Sequence, residues 1–105
     1  MIVLQVVPQA GKDAYKLLRD KVTHAAQTWS WSNKAKTRLS HSSEQINGYI
    51  EVASADGVLI VQIVPASDKD TYSLTEKFIG RLVDWFKDDL VAINLQFVPD
   101  TKKTK

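Results

Sequence analysis

The sequence contains no cysteine, and this absence excludes disulfide bonds, thiolate metal sites and cysteine nucleophiles. Histidine is scarce as well, and neither of the two histidines has another metal-ligating side chain at a fixed spacing. The chain also lacks a glycine-rich phosphate-binding loop and a nucleophile elbow. We therefore expect no metal, no cofactor and no catalytic residues, and a protein without enzymatic activity is favoured.

Long hydrophobic runs are absent too. The apolar N-terminal segment 1–7 has no basic leader and is followed by Pro8, so it predicts neither a signal peptide nor a membrane-spanning helix. The lack of cysteine is mildly typical of cytosolic proteins. A cytoplasmic protein with no membrane partner is the resulting prediction.

The excess of positive charge is small and lies at the C-terminus. The formal net charge is +2, from 14 basic and 12 acidic residues. Residues 100–105 hold three of the bases and one of the acids, which leaves eleven of each in residues 1–99. We expect residues 1–99 to form a single, nearly neutral α/β domain and residues 100–105 to form a flexible basic tail.

The most continuously apolar segment is 57–65, in which six of the seven residues between Gly57 and Pro65 are aliphatic. This run is too short for a helix and predicts a central strand that needs cover on both faces. The dipeptide Asp56-Gly57 is typical of a two-residue type I′ turn, which would join the central strand to a preceding strand over 48–55.

Apolar periodicity predicts two helices and two further strands. Segment 1–7 alternates as an interior strand, and 94–98 closes the chain as the last strand. One helix is predicted from Lys12 to about Trp29, and another after a capping sequence at Ser67 or Ser73. The residues expected in the core are Tyr15, Leu18, Val22, Ala25 and Trp29 of the first helix, Leu74, Phe78, Leu82, Phe86 and Leu90 of the second, and Ile93, Leu95 and Phe97 of the last strand.

The order strand, helix, hairpin, helix, strand predicts an α+β fold, a two-layer ferredoxin-like plait (βαββαβ). Both helices would cover one face of an antiparallel sheet, with the first strand beside the central strand and the last strand beyond the first. The segment 30–47 leaves an alternative open. An extra edge strand near 37–41 would make the sheet mixed and five-stranded, or the segment would lie over the sheet.

The sheet face without helices is the leading candidate for function. The type I′ turn places Glu51 opposite Gln62, and in a plait Gln5 and Gln96 would fall in the same row. This face is too apolar to be solvated and too polar to be a core. We therefore predict a homodimeric interaction module or a small-ligand-binding module. Its interface or ligand residues are Gln5, Tyr49, Glu51, Ile60, Gln62 and Gln96.

A second hypothesis is a weak nucleic-acid binder that uses the loop 29–38 and the C-terminal tail. This loop interleaves indoles with bases, the composition of a stacking platform for single strands. The candidate nucleic-acid or anion contacts are Trp31, Lys34, Lys36 and Arg38. Two observations argue against it, because Trp29 is already used by the first helix and the middle strands lack the aromatic residues of an RNA-recognition motif.

A third hypothesis is a small enzyme without a cofactor. The order of elements resembles that of dimeric α+β barrel proteins, some of which are cofactor-free oxygenases, and that of small-molecule-sensing regulatory domains. The resemblance is carried by element order and implies no particular site residues. In such an enzyme, Trp31, His41 and Glu51 would be the residues best suited to take part in a reaction.

Overall fold

Residues 1–99 are described by a computed structural model, and they form one six-stranded sheet and two helices. The strands are β1 (Ile2–Pro8), β2 (Trp29–Trp31), β3 (Arg38–His41), β4 (Gly48–Ala55), β5 (Val58–Pro65) and β6 (Leu90–Phe97). The helices are α1 (Ala14–His24) and α2 (Asp68–Phe86). The strand order across the sheet is β2-β3-β4-β5-β1-β6, and every neighbouring pair is antiparallel. The predicted tail lies outside the described residues.

The predicted ferredoxin-like plait is wrong, because the element order is βαββββαβ and not βαββαβ. Two strands, β2 and β3, are inserted between α1 and β4 and extend the sheet at its edge. The alternative with a strand near 37–41 is correct about β3 but wrong about a mixed, five-stranded sheet. A single extra strand would have reversed the direction of every later strand. Because two strands are inserted, β2 and β3, the later strands keep their direction and the sheet is antiparallel throughout.

The helix α1 is shorter than predicted. It ends at His24, so the assignment of Ala25 to the core is wrong, because this residue is exposed after the end of the helix. Trp29 lies in β2 opposite His41. Trp29 is nevertheless buried, as expected of it, because its indole packs edge-on against Phe78 of α2 at 5.7 Å between ring centroids. The apolar spacing therefore identifies a core residue but assigns it to the wrong element.

The hairpin of β4 and β5 confirms the turn that is predicted for it. Asp56 and Gly57 have φ values of 53° and 85°, the left-handed pair that a type I′ turn requires. The predicted register also holds, with Glu51 opposite Gln62 and Tyr49 opposite Val64.

Both helices pack on the same face of the sheet. The buried strand residues that alternate onto this face are Leu4, Val6, Leu39, Ile50, Val52, Leu59, Val61 and Ile63, and they form one cluster with Leu18 of α1 and Phe78 of α2. In β6, however, Leu95 and Phe97 are 38% and 79% exposed, so their assignment to the core is wrong. The reason is that α2 packs mainly over β4 and β5, whereas β6 is the outermost strand.

One buried carboxylate ties the start of α2 to the loop before β4. Asp70 is 2% exposed and accepts hydrogen bonds from the backbone N–H of Asn47 and the hydroxyl of Ser67, at 3.1 and 2.9 Å. The Asn47 hydrogen bond is the main cause that holds the pKa of Asp70 below its usual value, and the Ser67 hydrogen bonds act in the same direction against the effect of burial. A lowered carboxyl pKa stabilises the folded protein at neutral pH, and this stabilisation is lost in acid. The contacts of Asp70 therefore contribute to the stability of the fold.

Neither helix in residues 1–99 has the combination of length and apolar content that is needed to cross a bilayer.

Two glycine substitutions should have opposite effects on stability. Gly48 has a φ of +116°, and a Cβ there would collide with the backbone of Val64 and Pro65. We expect Gly48→Ala to lower the free energy of unfolding by roughly 1–3 kcal/mol or more, because it combines backbone strain with a collision. Gly80 lies within α2 in open space, so Gly80→Ala should raise that free energy by about 0.4–1 kcal/mol. Urea unfolding of both variants is the measurement, and a stable Gly48→Ala protein would contradict the structure at the start of β4.

Candidate functional site

The helix-free face of the sheet consists of the side chains that alternate with the core residues along each strand. They are Val3, Gln5 and Val7 of β1, Arg38 of β3, Tyr49, Glu51 and Ala53 of β4, Ile60, Gln62 and Val64 of β5, and Asn94 and Gln96 of β6. Each of these side chains keeps part of its surface in solvent. Segment 30–47 does not lie over this face, because it forms the β2–β3 hairpin at the edge of the sheet.

A polar row crosses five strands of the helix-free face. Direct partners in the register run from Gln96 to Val3, then to Gln62, Glu51 and Arg38. The expected row of four polar residues is therefore wrong at one position, since Val3 lies between Gln62 and Gln96.

Gln5 lies two residues further along β1, at the next position on the same face. Gln5 is opposite Ile60 of β5 and Asn94 of β6. Together with Asn94 it forms a second polar row, which is only two residues long. The amides of this face therefore belong to two adjacent rows and not to one.

The charged end of the row is internally neutralised. Arg38 Nε donates to Glu51 Oε1 at 3.2 Å, and the Arg38 guanidinium lies 4.7 Å from the centre of the Tyr49 ring. An exposed pair of this kind adds at most about 1 kcal/mol to stability. Its effect on the surface is larger, because it removes the isolated negative charge that would oppose burial of Glu51. The sequence pattern does not reveal this pair, since it predicts no register for β3.

The four predicted nucleic-acid contacts do not form one surface. Trp31 pairs with Leu39 and so lies on the helix side of the sheet, where its ring is 6.4 Å from that of Tyr15. Arg38 lies on the opposite, helix-free face. Lys34 and Lys36 are in the turn between β2 and β3, where the Lys36 carbonyl accepts a hydrogen bond from the Tyr15 hydroxyl.

The three candidate residues of the enzyme hypothesis, Trp31, His41 and Glu51, do not lie on one face of the sheet. His41 follows the parity of buried Leu39 and faces the helices, whereas Glu51 lies on the helix-free face. The sheet itself stands between the two side chains, so they cannot share a proton. Among residues 1–99, no three His, Cys, Asp or Glu side chains are close enough together to hold a metal ion.

His41 lies at the edge of an open cavity of about 730 Å³ between the β2–β3 hairpin and α2. Its ring stands edge-on to Trp29 at 5.0 Å, and its Nδ1 accepts a hydrogen bond from the backbone N–H of Ser43 at 3.0 Å. Lys77 and Arg81 of α2 line the opposite side of the cavity. The helical pattern indicates only that these two bases lie outside the buried stripe, so nothing in the sequence connects them with His41.

The chain was also compared with family models, with curated proteins and with solved structures, and none of them matches it.

The environment of His41 predicts a pH dependence of stability. Burial, and secondarily the positive charge of Lys77, hold the pKa of His41 below its ordinary value of 6.5. The unfolded chain therefore binds more protons than the folded one in the range just below pH 6.5, and stability should fall as the pH drops through that range.

We expect an NMR titration of His41 to give a midpoint below 6.5. Urea unfolding from pH 8 to pH 5 should show a loss of stability that His41→Gln reduces. A midpoint at or above 6.5 would contradict the structure around this ring.

Proposed function

We propose that this protein is a non-enzymatic, homodimeric binding module whose two copies meet through their helix-free faces. The observation that carries the proposal is the polar row Gln96, Val3, Gln62, Glu51 and Arg38 set among half-buried aliphatic side chains on a face that neither helix covers. A face fully adapted to water would hold more charge, and partly exposed aliphatic side chains that lie side by side favour an interaction surface.

A second copy suits this face because the row is self-complementary. A two-fold interface brings the same surface of both copies together. An amide both donates and accepts, so Gln62 near the middle of the row can pair with its own counterpart. The Arg38–Glu51 pair enters such an interface as a neutral unit, which lowers the cost of removing its charges from water.

The helix-free face is large enough for a biological interface between two copies. Five strands about 4.8 Å apart and about seven residues long cover roughly 24 Å by 23 Å, or about 550 Å² on each copy before side-chain relief is counted. Two such faces together bury about 1,100 Å² or more, which exceeds the roughly 1,000 Å² expected of a biological interface.

A second mode of self-association is favoured by one specific observation. The edge strand β6 has no charged residue and exposes Val91, Leu95 and Phe97, of which Phe97 is 79% exposed. Long apolar edge strands are usually covered, since their free backbone groups pair with other strands. The opposite edge, β2, has three residues and is protected by its shortness. Antiparallel pairing of β6 with β6 of a second copy is the competing dimer.

The compartment belongs to the same proposal. We propose that the dimer functions in the cytoplasm, because a chain without cysteine has no disulfide bonds that would require an oxidising compartment.

Substitutions on the two surfaces should decide between the two dimers. Ile60 lies at the centre of the helix-free face, directly opposite Gln5 and Ala53. We expect Ile60→Lys to weaken dimerisation at least about 30-fold, because an unpaired charge at an interface centre costs about 2 kcal/mol or more. Sedimentation equilibrium measures this change, and thermal unfolding checks that the variant remains folded.

Two matched variants accompany Ile60→Lys. Tyr72→Lys alters a side chain of α2 that is 72% exposed and should leave the dimer unchanged. Phe97→Lys should have little effect if the helix-free faces meet. Monomers formed by Phe97→Lys but not by Ile60→Lys would replace the proposed interface with the β6 edge, and a wild-type protein that stays monomeric at the highest attainable concentration would refute both.

A further inference from the structure

The cavity between the β2–β3 hairpin and α2 is rich in hydrogen-bond donors. Its lining includes Lys77 and Arg81 from α2, His41 from β3 and Trp29 from β2. Lys77 forms no ion pair with another described residue, and Arg81 is paired with Asp84 at 3.3 Å on the outer surface of the same helix. Trp29 is only 2% exposed, and its buried indole N–H has no hydrogen-bond partner. A buried donor without an acceptor is unusual and costly.

The tautomer of His41 adds a further donor. Its Nδ1 accepts the hydrogen bond from the Ser43 backbone N–H, so the neutral ring carries its proton on Nε2. The Ser43 hydroxyl in turn accepts from the backbone N–H of Gln45. These contacts hold the loop after β3 and the imidazole together, and they fix the ring as a donor on the side away from Ser43.

The charges around the cavity favour an anion. The titratable side chains that line it are His41 on the hairpin and Glu76, Lys77 and Arg81 on α2. With His41 neutral, the cations of Lys77 and Arg81 face the carboxylate of Glu76, while Asp84 offsets Arg81 from outside the cavity. Protonation of His41 adds a third positive charge. The volume of about 730 Å³ lies within the usual range for small-molecule sites.

We infer that this cavity binds the carboxylate or phosphate group of a small molecule, with Lys77 as the principal charge partner and the His41 Nε2–H as a hydrogen-bond donor. Arg81 is paired with Asp84 and therefore attracts the anion more weakly than Lys77 does. The site lies on the helix side of the sheet, so it is separate from the helix-free face and does not depend on the proposed dimer.

Anion binding and protonation of His41 are linked. Burial is the main cause that lowers the pKa of His41, and the positive charge of Lys77 is the second. A bound anion opposes that charge and therefore raises the pKa of His41. By reciprocity, the affinity for the anion increases as the pH falls and His41 becomes protonated.

The test is an NMR titration of the protein with inorganic phosphate and, separately, with acetate, at a constant ionic strength maintained with sodium chloride. Saturable shifts of the His41 ring and of the Trp29 indole N–H are expected with at least one of the two anions, and the one that binds identifies the phosphate or the carboxylate as the favoured group. The His41 midpoint should rise in the presence of that anion. Shifts that do not saturate, or that chloride alone reproduces, would overturn the inference.

Charge-matched variants separate a specific site from general attraction. Lys77→Gln should weaken anion binding at least about tenfold, a change of about 1.4 kcal/mol. Lys69→Gln removes the same charge from an exposed position in the first turn of α2 that does not line the cavity, and it should leave the affinity unchanged. His41→Gln should abolish the increase in affinity at low pH. Equal affinities in Lys77→Gln and Lys69→Gln would contradict the assignment, whatever the oligomeric state.

Discussion

The burial of one face of β5 is the constraint on which the other features depend. Leu59, Val61 and Ile63 are almost fully buried under α2 and between the neighbouring strands β4 and β1. Burial of each such side chain contributes roughly 1.5–3 kcal/mol relative to exposure. Because side chains alternate strictly along a strand, this burial forces Ile60, Gln62 and Val64 onto the opposite face. The helix-free face is thus a direct consequence of how the core is packed.

The parts of the fold that depend on local sequence could be predicted. The Asp56-Gly57 dipeptide has one favoured turn, and that turn determines which residues of β4 and β5 face each other. The amino-acid sequence alone is therefore sufficient to place Gln62 opposite Glu51. The apolar stripe of α2 is equally clear, with Leu74, Phe78, Leu82 and Phe86 all buried. Leu90, expected at the end of this stripe, is instead the first residue of β6.

The parts that depend on distant contacts could not be predicted. No turn connects β1 to β5, so nothing local sets their register, and Gln5 lies two residues away from the expected row. Trp29 fits the spacing of a helix stripe and also suits a buried strand position, and only its packing against Phe78 and His41 resolves the choice. For Phe97, alternation identifies the correct face of β6, but the position of α2 leaves that face largely open.

The sheet separates two surfaces of different chemistry. The helix-free face combines aliphatic side chains with amides and one neutralised ion pair, which suits a second protein surface. The cavity beside His41 combines cations with the unpartnered indole N–H of Trp29, which suits a small anion. The most direct test of the central claim is a filtered NMR experiment on a mixed sample of isotope-labelled and unlabelled chains, which detects contacts between copies. The proposed dimer predicts intermolecular contacts from the methyl groups of Val3, Ile60 and Val64, whereas contacts confined to Val91, Leu95 and Phe97, or none at all, would contradict it.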